Sequence, residues 1–147
     1  MWKHSTPKIL IVEDDINNHP LFRKAFEAKG FEVTIRKTAD GDFLSEVIFF
    51  KPDIISMDLM IGQADAETQR DGFEAIELLK TDDRTKDIPV IVLTNFFEEG
   101  KVERAKGLGS VDFLSLQGQS ISSVPDIFKR YLDDPKKYHP THPIFRA

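Results

Sequence analysis

Acidic side chains cluster directly after a short aliphatic run near the start of the chain. Residues 8–15 read KILIVEDD, so four apolar residues lead into three consecutive carboxylates at Glu13, Asp14 and Asp15. Like charges this close destabilise one another unless water or a cation lies between them. A solvated acidic turn is one interpretation. A site for a hard divalent cation, which prefers oxygen ligands, is the other.

Two further apolar runs end in polar residues. Asp58 ends PDIISMD, and Thr94 with Asn95 ends IPVIVLTN. In open sheets of parallel strands, ligands bind beyond the carboxyl ends of the strands, near the point where strand order reverses. If these runs are parallel strands, carboxylates from two of them and a hydroxyl from a third meet at one rim. That convergence favours the cation interpretation over an isolated turn.

Five apolar runs alternate with helical patterns along the chain. The runs are KILIV, FEVTIRK, PDIISMD, IPVIVLT and VDFLSL. Alternation of this kind predicts parallel strands joined by right-handed crossovers, with helices on both faces of the sheet. Charges and alternation in the second run indicate an edge strand. We therefore expect a doubly wound α/β fold with three layers, α/β/α.

Composition limits the classes of function. The 147 residues suit one domain, and 40% apolar with 31% charged residues is ordinary for a globular protein. A formal net charge of −5 argues against a nucleic-acid or anionic-membrane surface. No apolar run approaches the roughly 18 residues of a membrane span. The absence of cysteine excludes disulfides and a thiol nucleophile and fits a cytoplasmic location.

The chain divides into a short leader at residues 1–7, one domain at 8–132 and a tail at 133–147. The leader MWKHSTP lacks the hydrophobic region of a signal peptide. Three prolines among charged residues indicate an extended or disordered tail. His139 and His142 in the tail could ligate a metal, although two histidines in such a segment are more often simply solvated. With so short a tail, we expect a stand-alone domain without a DNA-binding or enzymatic output domain.

The motifs ILIVEDD, PDIISMD, VIVLT and DFLSL, in this order and spacing, resemble the receiver domain of two-component response regulators across residues 8–132. The resemblance implies a flavodoxin-like sheet of five strands in the order 2-1-3-4-5. It also implies a stand-alone phosphoacceptor protein rather than a turnover enzyme. Asp58 would take a phosphoryl group from a histidine kinase or a histidine phosphotransfer protein.

The same resemblance implies a metal site. Glu13 and Asp14 match the acid pair of the family. Together with Asp58 and the main-chain carbonyl of Met60, they would hold Mg²⁺, or alternatively Mn²⁺. A carboxylate beside two others repels an incoming phosphate, and the cation would neutralise that charge and align the attack.

A switch and an output surface are implied as well. Thr94 matches the hydroxyl residue that contacts the phosphoryl group, and Phe113 matches an aromatic switch. The fourth helix, fifth strand and fifth helix would then form the face for a downstream protein or for a second copy of the chain. Phe96 and Phe97 directly follow Thr94 and are expected to be half-buried or to belong to that face.

Two departures from the family pattern bear on the switch. Receivers end their fifth strand with a lysine and a proline, whereas DFLSLQ places Leu116 and Gln117 there. A leucine cannot pair with phosphoryl oxygens, so a charge-assisted contact worth about 1.5–3 kcal/mol is missing. The loop at residues 59–71 is also long. It is either a tolerated surface insertion or a lid or docking element, in which Arg70 could replace the missing cation.

Of three other functions for a chain of this pattern, two conflict with the sequence and one remains open. A flavin protein of this fold needs a loop that cradles phosphate, which EDDINNH would repel. A phosphatase of the haloacid dehalogenase type resembles DxDxT at its nucleophile, and MDLMI lacks the second aspartate. A pseudo-receiver, which keeps the fold as a protein-binding module without a phosphorylation switch, remains open.

Overall fold

Five parallel strands form one sheet in the order β2-β1-β3-β4-β5. The computed structural model describes residues 6–61, 68–95 and 98–146. The strands are β1 Lys8–Val12, β2 Glu32–Arg36, β3 Ile54–Met57, β4 Val90–Thr94 and β5 Asp112–Ser115. Every neighbouring pair is parallel. The predicted strand order is confirmed, and β2 is an edge strand as its charges indicated.

Helices cover both faces of the sheet. They are α1 His19–Ala28, α2 Phe43–Phe50, α3 Gly72–Thr81, α4 Glu99–Gly107 and α5 Val124–Asp133. Single 3₁₀ turns lie at Ile16–Asn18, Ile121–Ser123 and Pro143–Phe145. No helix in the described part of the chain is both long and apolar enough to cross a membrane.

The sheet separates two apolar cores, because successive strand residues point to opposite faces. Leu10, Val12 and Phe113 belong to the core shared with α2, α3 and α4. Ile9 and Ile11 belong to the core shared with α1 and α5. This gives the predicted three-layer α/β/α arrangement.

One apolar residue of α1 departs from the expected inward face. The helical pattern groups Leu21 with Phe22 and Phe26, yet Leu21 is 52% exposed while the two phenylalanines are fully buried. Leu21 instead lines an apolar groove with Ala25 and Ile121. The apolar side of α1 is wider than the surface that the sheet covers. Leu21 lies at the edge of that side and therefore stays exposed.

Backbone pairing brings the ends of β1 and β3 side by side. The Glu13 amide donates to the Arg36 carbonyl at 2.9 Å, and the Asp58 amide donates to the Val12 carbonyl at 3.1 Å. The backbone hydrogen bonding of the sheet therefore extends one residue past each strand, to Glu13 and Asp58. Their side chains lie at the carboxyl edge of the sheet. The register alone fixes which carboxylates become neighbours.

The start of α3 approaches the end of β3 very closely. A Cβ atom on Gly72 would lie 2.3 Å from the Asp58 carbonyl oxygen and 2.6 Å from the Leu59 Cα. Only glycine fits this position, and its amide donates to the Leu59 carbonyl at 3.1 Å. Asp71 and Glu74 form a reciprocal capping box at the same helix start. This contact clamps the backbone that carries Asp58.

The tail differs from the extended or disordered segment that its composition indicated. Residues 134–146 fold back against the domain and include one 3₁₀ turn, Pro143–Phe145. Ile144 and Phe145 are half-buried against the core under α4. The attachment depends on hydrogen bonds to Asp112, a tertiary contact that composition cannot indicate.

Candidate functional site

A cavity of about 400 Å³ opens at the carboxyl ends of β1, β3 and β4. It lies where the sequence placed a polar rim. Its lining residues are Glu13, Asp14, Asp15, Asp58, Met60, Thr94 and Asn95. The structure thus brings together every predicted site residue except Phe113.

Asp58 is held by two donors at the base of this cavity. The Thr94 hydroxyl donates to Asp58 Oδ1 at 2.9 Å, and the Met60 amide donates to the same oxygen at 3.1 Å. The Asp58 residue is 6% exposed and Thr94 is 1% exposed. Burial and paired donors leave the carboxylate with one orientation, which a nucleophile requires.

Carboxylate oxygens of Glu13, Asp14 and Asp58 lie within 4.8 Å of one another. Glu13 is positioned by its neighbour, because the Asp15 amide donates to Glu13 Oε2 at 3.1 Å. Asp15 itself accepts the Asn17 amide and so caps the following 3₁₀ turn. The third acid of the EDD run therefore has a local structural role, and the other two face Asp58.

The clustered acids shift one another's protonation. Burial, followed by the charge of Asp58, raises the pKa of Glu13 from 4.5 to about 8, against the lowering effect of the Asp15 amide. Burial also raises the pKa of Asp58, the Asp14 charge adds to this, and the Met60 and Thr94 donors oppose it. With its pKa raised to about 8, the Glu13 side chain thus retains a proton at neutral pH when no cation is bound. Such a donor set, all of hard oxygens, fits a divalent cation.

Phe113 lies away from the cavity. It pairs with Val92 in the sheet and is 2% exposed in the core under α4. The His142 ring meets its edge with ring centroids 6.0 Å apart. The predicted switch aromatic is therefore inside the domain and in contact with the tail. Phe96 and Phe97 lie outside the described residues.

No lysine or arginine lines the cavity among the residues that the structure describes. Leu116 packs against the core beneath α1 and α5. Arg70, the proposed replacement cation, donates from Nη1 to the Ala39 carbonyl at 2.8 Å. That contact ties the end of the long loop to the segment after β2, and residues 62–67 of the loop lie outside the described residues.

Sequence reasoning missed two bridges near the rim. The Gln117 side-chain amide donates to the Asn95 carbonyl at 3.1 Å and links the segments after β4 and β5. The Asp40 carboxylate accepts the Gln69 and Arg70 amides at 2.8 and 2.9 Å. Neither bridge has a local signal, because the partners are far apart in the chain.

Residues 9–119 match the family model of the response regulator receiver domain. The chain belongs to the response regulator receiver family. It is 33% identical over 129 residues to the polar-differentiation response regulator DivK of Brucella ovis, covering 88% of this chain and 98% of the relative.

Solved structures agree on the fold. A CheY-like response regulator receiver domain protein from Methanospirillum hungatei JF-1 superposes with a TM-score of 0.75 at 20% identity, covering 92% of this chain and 100% of that one. The Mn²⁺-bound form of response regulator Rcp1 gives 0.67 at 21% identity, covering 87% and 96%. Receiver domains serve two-component signalling and are signalling domains rather than turnover enzymes.

Proposed function

We propose that this protein is a phosphorylation-dependent receiver in which Asp58 accepts the phosphoryl group. The observation that carries the proposal is the convergence of Asp58 with Thr94 at 2.9 Å and with Glu13 and Asp14 within 4.8 Å, in the lining of one cavity. A nucleophile, a hydroxyl donor and an acid pair are the parts that aspartyl phosphorylation needs.

The transfer exchanges one bond to phosphorus for another. A carboxylate oxygen of Asp58 attacks the phosphorus of a phosphohistidine, an acyl phosphate forms, and the bond from phosphorus to the donor nitrogen breaks. Thr94 and the Met60 amide hold the carboxylate for in-line attack. The Thr94 hydroxyl then exchanges its partner from Asp58 to a phosphoryl oxygen, and this change is the start of the signal.

Glu13, Asp14 and Asp58, with the Met60 carbonyl, would hold Mg²⁺, and Mn²⁺ suits the same ligands. The raised pKa of Glu13 supports this, because it reflects burial beside the negative charges of Asp58 and Asp14. When bound, the cation supplies charge neutralisation at the transferring phosphoryl group. The chain supplies the acid pair, the oriented nucleophile and the hydroxyl.

The donor would be a histidine kinase or a histidine phosphotransfer protein, and the output would be a protein contact at the face of α4, β5 and α5. Phe113 supports that face, since it lies in β5 beneath α4. A second copy of the chain is one partner that this face could take. The cytoplasmic location stays a prediction from the cysteine-free composition.

A pseudo-receiver is the second candidate, and Leu116 is the observation that favours it. The family's lysine is replaced by a residue that packs into the core, so the phosphoryl group loses one charge-assisted contact. In that case the fold would bind a protein without phosphorylation as its switch.

Intact mass spectrometry separates the two candidates. The protein is incubated with Mg²⁺ and a small phosphodonor such as acetyl phosphate or phosphoramidate, and again with a chelator. We expect the mass of one phosphoryl group to appear only with Mg²⁺, and not in Asp58→Asn. Asp83→Asn is the matched control, because Asp83 is 92% exposed and distant from the cavity. An unmodified wild-type protein under all conditions would favour the pseudo-receiver.

A further inference from the structure

The buried carboxylate of Asp112 holds the chain's own tail. Asp112 is 0% exposed at the start of β5, and its Oδ2 accepts the Tyr138 hydroxyl and the Thr141 amide, the latter at 2.8 Å. Its Oδ1 accepts the His142 amide at 3.2 Å and the Thr141 hydroxyl at 3.3 Å. Only the Phe113 amide, at 2.8 Å, is a donor from the strand itself. One acid thus anchors a whole segment.

Beyond this anchor the tail crosses α4. The Lys106 ammonium donates to the Ile144 carbonyl at 2.8 Å, and Ile144 and Phe145 pack against the core that contains Phe113. The His142 ring lies edge-on to Phe113 and also to Phe145, with centroids 6.0 and 6.2 Å apart. The tail therefore covers the face of α4 and β5 and contacts the buried aromatic of that face.

The attachment is shallow. No residue between 134 and 146 is itself buried, so the tail lies at the surface apart from its contacts with the buried Asp112 and Phe113. Segments with few buried contacts open at a small fraction of the global free energy of unfolding. Once the tail leaves, water can replace its donors at Asp112. The three prolines of the tail limit the freedom gained on release, so the closed form stays populated.

We propose that residues 134–146 form a C-terminal strap that occupies the face of α4 and β5 in cis, and that phosphorylation of Asp58 loosens it. This inference rests on the proposed function. The partner that takes the vacated face would present the chemistry of the strap: backbone amides for Asp112 and an apolar pair for the sites of Ile144 and Phe145. The strap thus makes the output face available only in the modified protein.

A continuous set of contacts joins the two ends of this coupling. Thr94 bonds to Asp58 and pairs with Ser115 in the sheet, and two positions earlier in β4 and β5 Val92 pairs with Phe113. A hydroxyl that changes partner at Thr94 therefore acts on the strand whose other end carries the strap. A modification moves such an equilibrium only through contacts that differ between the two states, and Phe113 with His142 provides one.

Hydrogen exchange at the Thr141 and His142 amides measures the strap directly. In the folded protein of residues 1–147 both amides should exchange more slowly than in a synthetic peptide of residues 134–146. After treatment with Mg²⁺ and acetyl phosphate they should exchange about tenfold faster, and the Asp58→Asn protein should not change. Intact mass is recorded on the same samples.

A tyrosine pair controls for the anchor. Tyr138→Phe removes one hydrogen bond to the Asp112 carboxylate and should speed exchange at Thr141 and His142 about tenfold without phosphorylation. Tyr131→Phe is the matched deletion, because Tyr131 packs on Tyr138 from α5 while the anchor bond belongs to Tyr138. This variant should leave the exchange unchanged.

Each contrary result overturns a different statement. Exchange as fast as in the free peptide would show that the strap is not docked. Unchanged exchange in protein that has gained the phosphoryl mass would make the tail a permanent clamp. Failure to gain mass would remove the proposed function, and the coupled release with it, while the tyrosine pair still tests the docking.

Discussion

At the scale of single residues, the site gathers three acids whose like charges repel one another. Glu13 and Asp58 are nearly buried, and burial raises the pKa of both, so the metal-free site holds a proton that the bound cation would displace. The hydrogen bonds from Thr94 and Met60 offset only part of the free-energy cost of burying the Asp58 charge. Function and stability oppose each other here, as is common where charges are gathered for chemistry.

Asp14 tests the metal site without altering the nucleophile. Asp14→Asn should weaken Mg²⁺ binding about 10- to 100-fold, because one of three carboxylates within 4.8 Å loses its charge. Titration calorimetry gives the affinity. Asp15→Asn is the control, since Asp15 lines the cavity while its carboxylate caps the 3₁₀ turn. Equal affinities for wild type and Asp14→Asn would contradict the assigned ligands.

Substitution of Leu116 tests the effect of the missing lysine on phosphorylation. Leu116→Lys should increase the rate and extent of phosphorylation by acetyl phosphate about tenfold, because a charge-assisted contact to the phosphoryl oxygens is restored. Leu116→Met controls for the loss of packing against the core beneath α1 and α5. If the lysine and methionine variants react alike, another group already serves the phosphoryl oxygens. Gln117, which bridges to Asn95 beside the cavity, is then the next residue to replace.

At the scale of elements, the close contact between β3 and α3 fixes the backbone of Asp58, the proposed nucleophile. Gly72→Ala should destabilise the protein by about 1–3 kcal/mol or more, because the new Cβ would meet backbone atoms that cannot give way. Thermal unfolding measures the change. Gly100→Ala in α4 is the matched control, since its Cβ would meet nothing within 4 Å, and it should be neutral or stabilising by up to about 1 kcal/mol. Similar Tm values for both variants would refute the clamp.

Much of this arrangement follows from local sequence. The buried runs predict the strands, and their terminal polar residues predict the rim, because parallel strands share one carboxyl edge. The tail could not be predicted, since Asp112 is an ordinary acid at the start of a run until Tyr138 and Thr141 fold onto it. The need for glycine at position 72 could not be predicted either, because it comes from the close approach of α3 to the end of β3.

At the scale of the whole molecule, the acid cluster makes stability depend on pH. Between pH 4.5 and about 8 the folded protein keeps a proton at Glu13 that the unfolded chain releases. The free energy of unfolding of the metal-free protein should therefore fall as pH rises through this range. Urea unfolding at about pH 6 and about pH 8.5, in chelator and in excess Mg²⁺, measures the slope, which Mg²⁺ should reduce.

The same measurement on Asp58→Asn tests whether the charge of the acid cluster causes the pH dependence. Removing one charge from the cluster should stabilise the metal-free protein at the higher pH by about 1–3 kcal/mol, a rise in Tm of about 3–10 °C. The pH slope should also become shallower. A wild-type protein that gains stability with rising pH would contradict the raised pKa of the cluster.

At the scale of the whole molecule, the proposed phosphorylation site and the proposed output face lie on different surfaces. The acid cavity opens at the carboxyl ends of the strands, while the strap lies over α4 and the start of β5. The sheet connects the two surfaces, because β4, whose end lines the cavity, pairs with β5, whose start holds the strap. A protein of this size can thus carry a modification site and a covered binding face within one domain.

Borohydride trapping tests the central claim most directly. An acyl phosphate on an aspartate is reduced by borohydride to homoserine, and peptide sequencing by mass spectrometry then locates the modified residue. After incubation with Mg²⁺ and a phosphodonor, we expect homoserine at position 58 and unaltered aspartate at positions 14 and 15. Homoserine at another aspartate, or none in protein that binds Mg²⁺, would contradict the assignment of Asp58 as the phosphoacceptor.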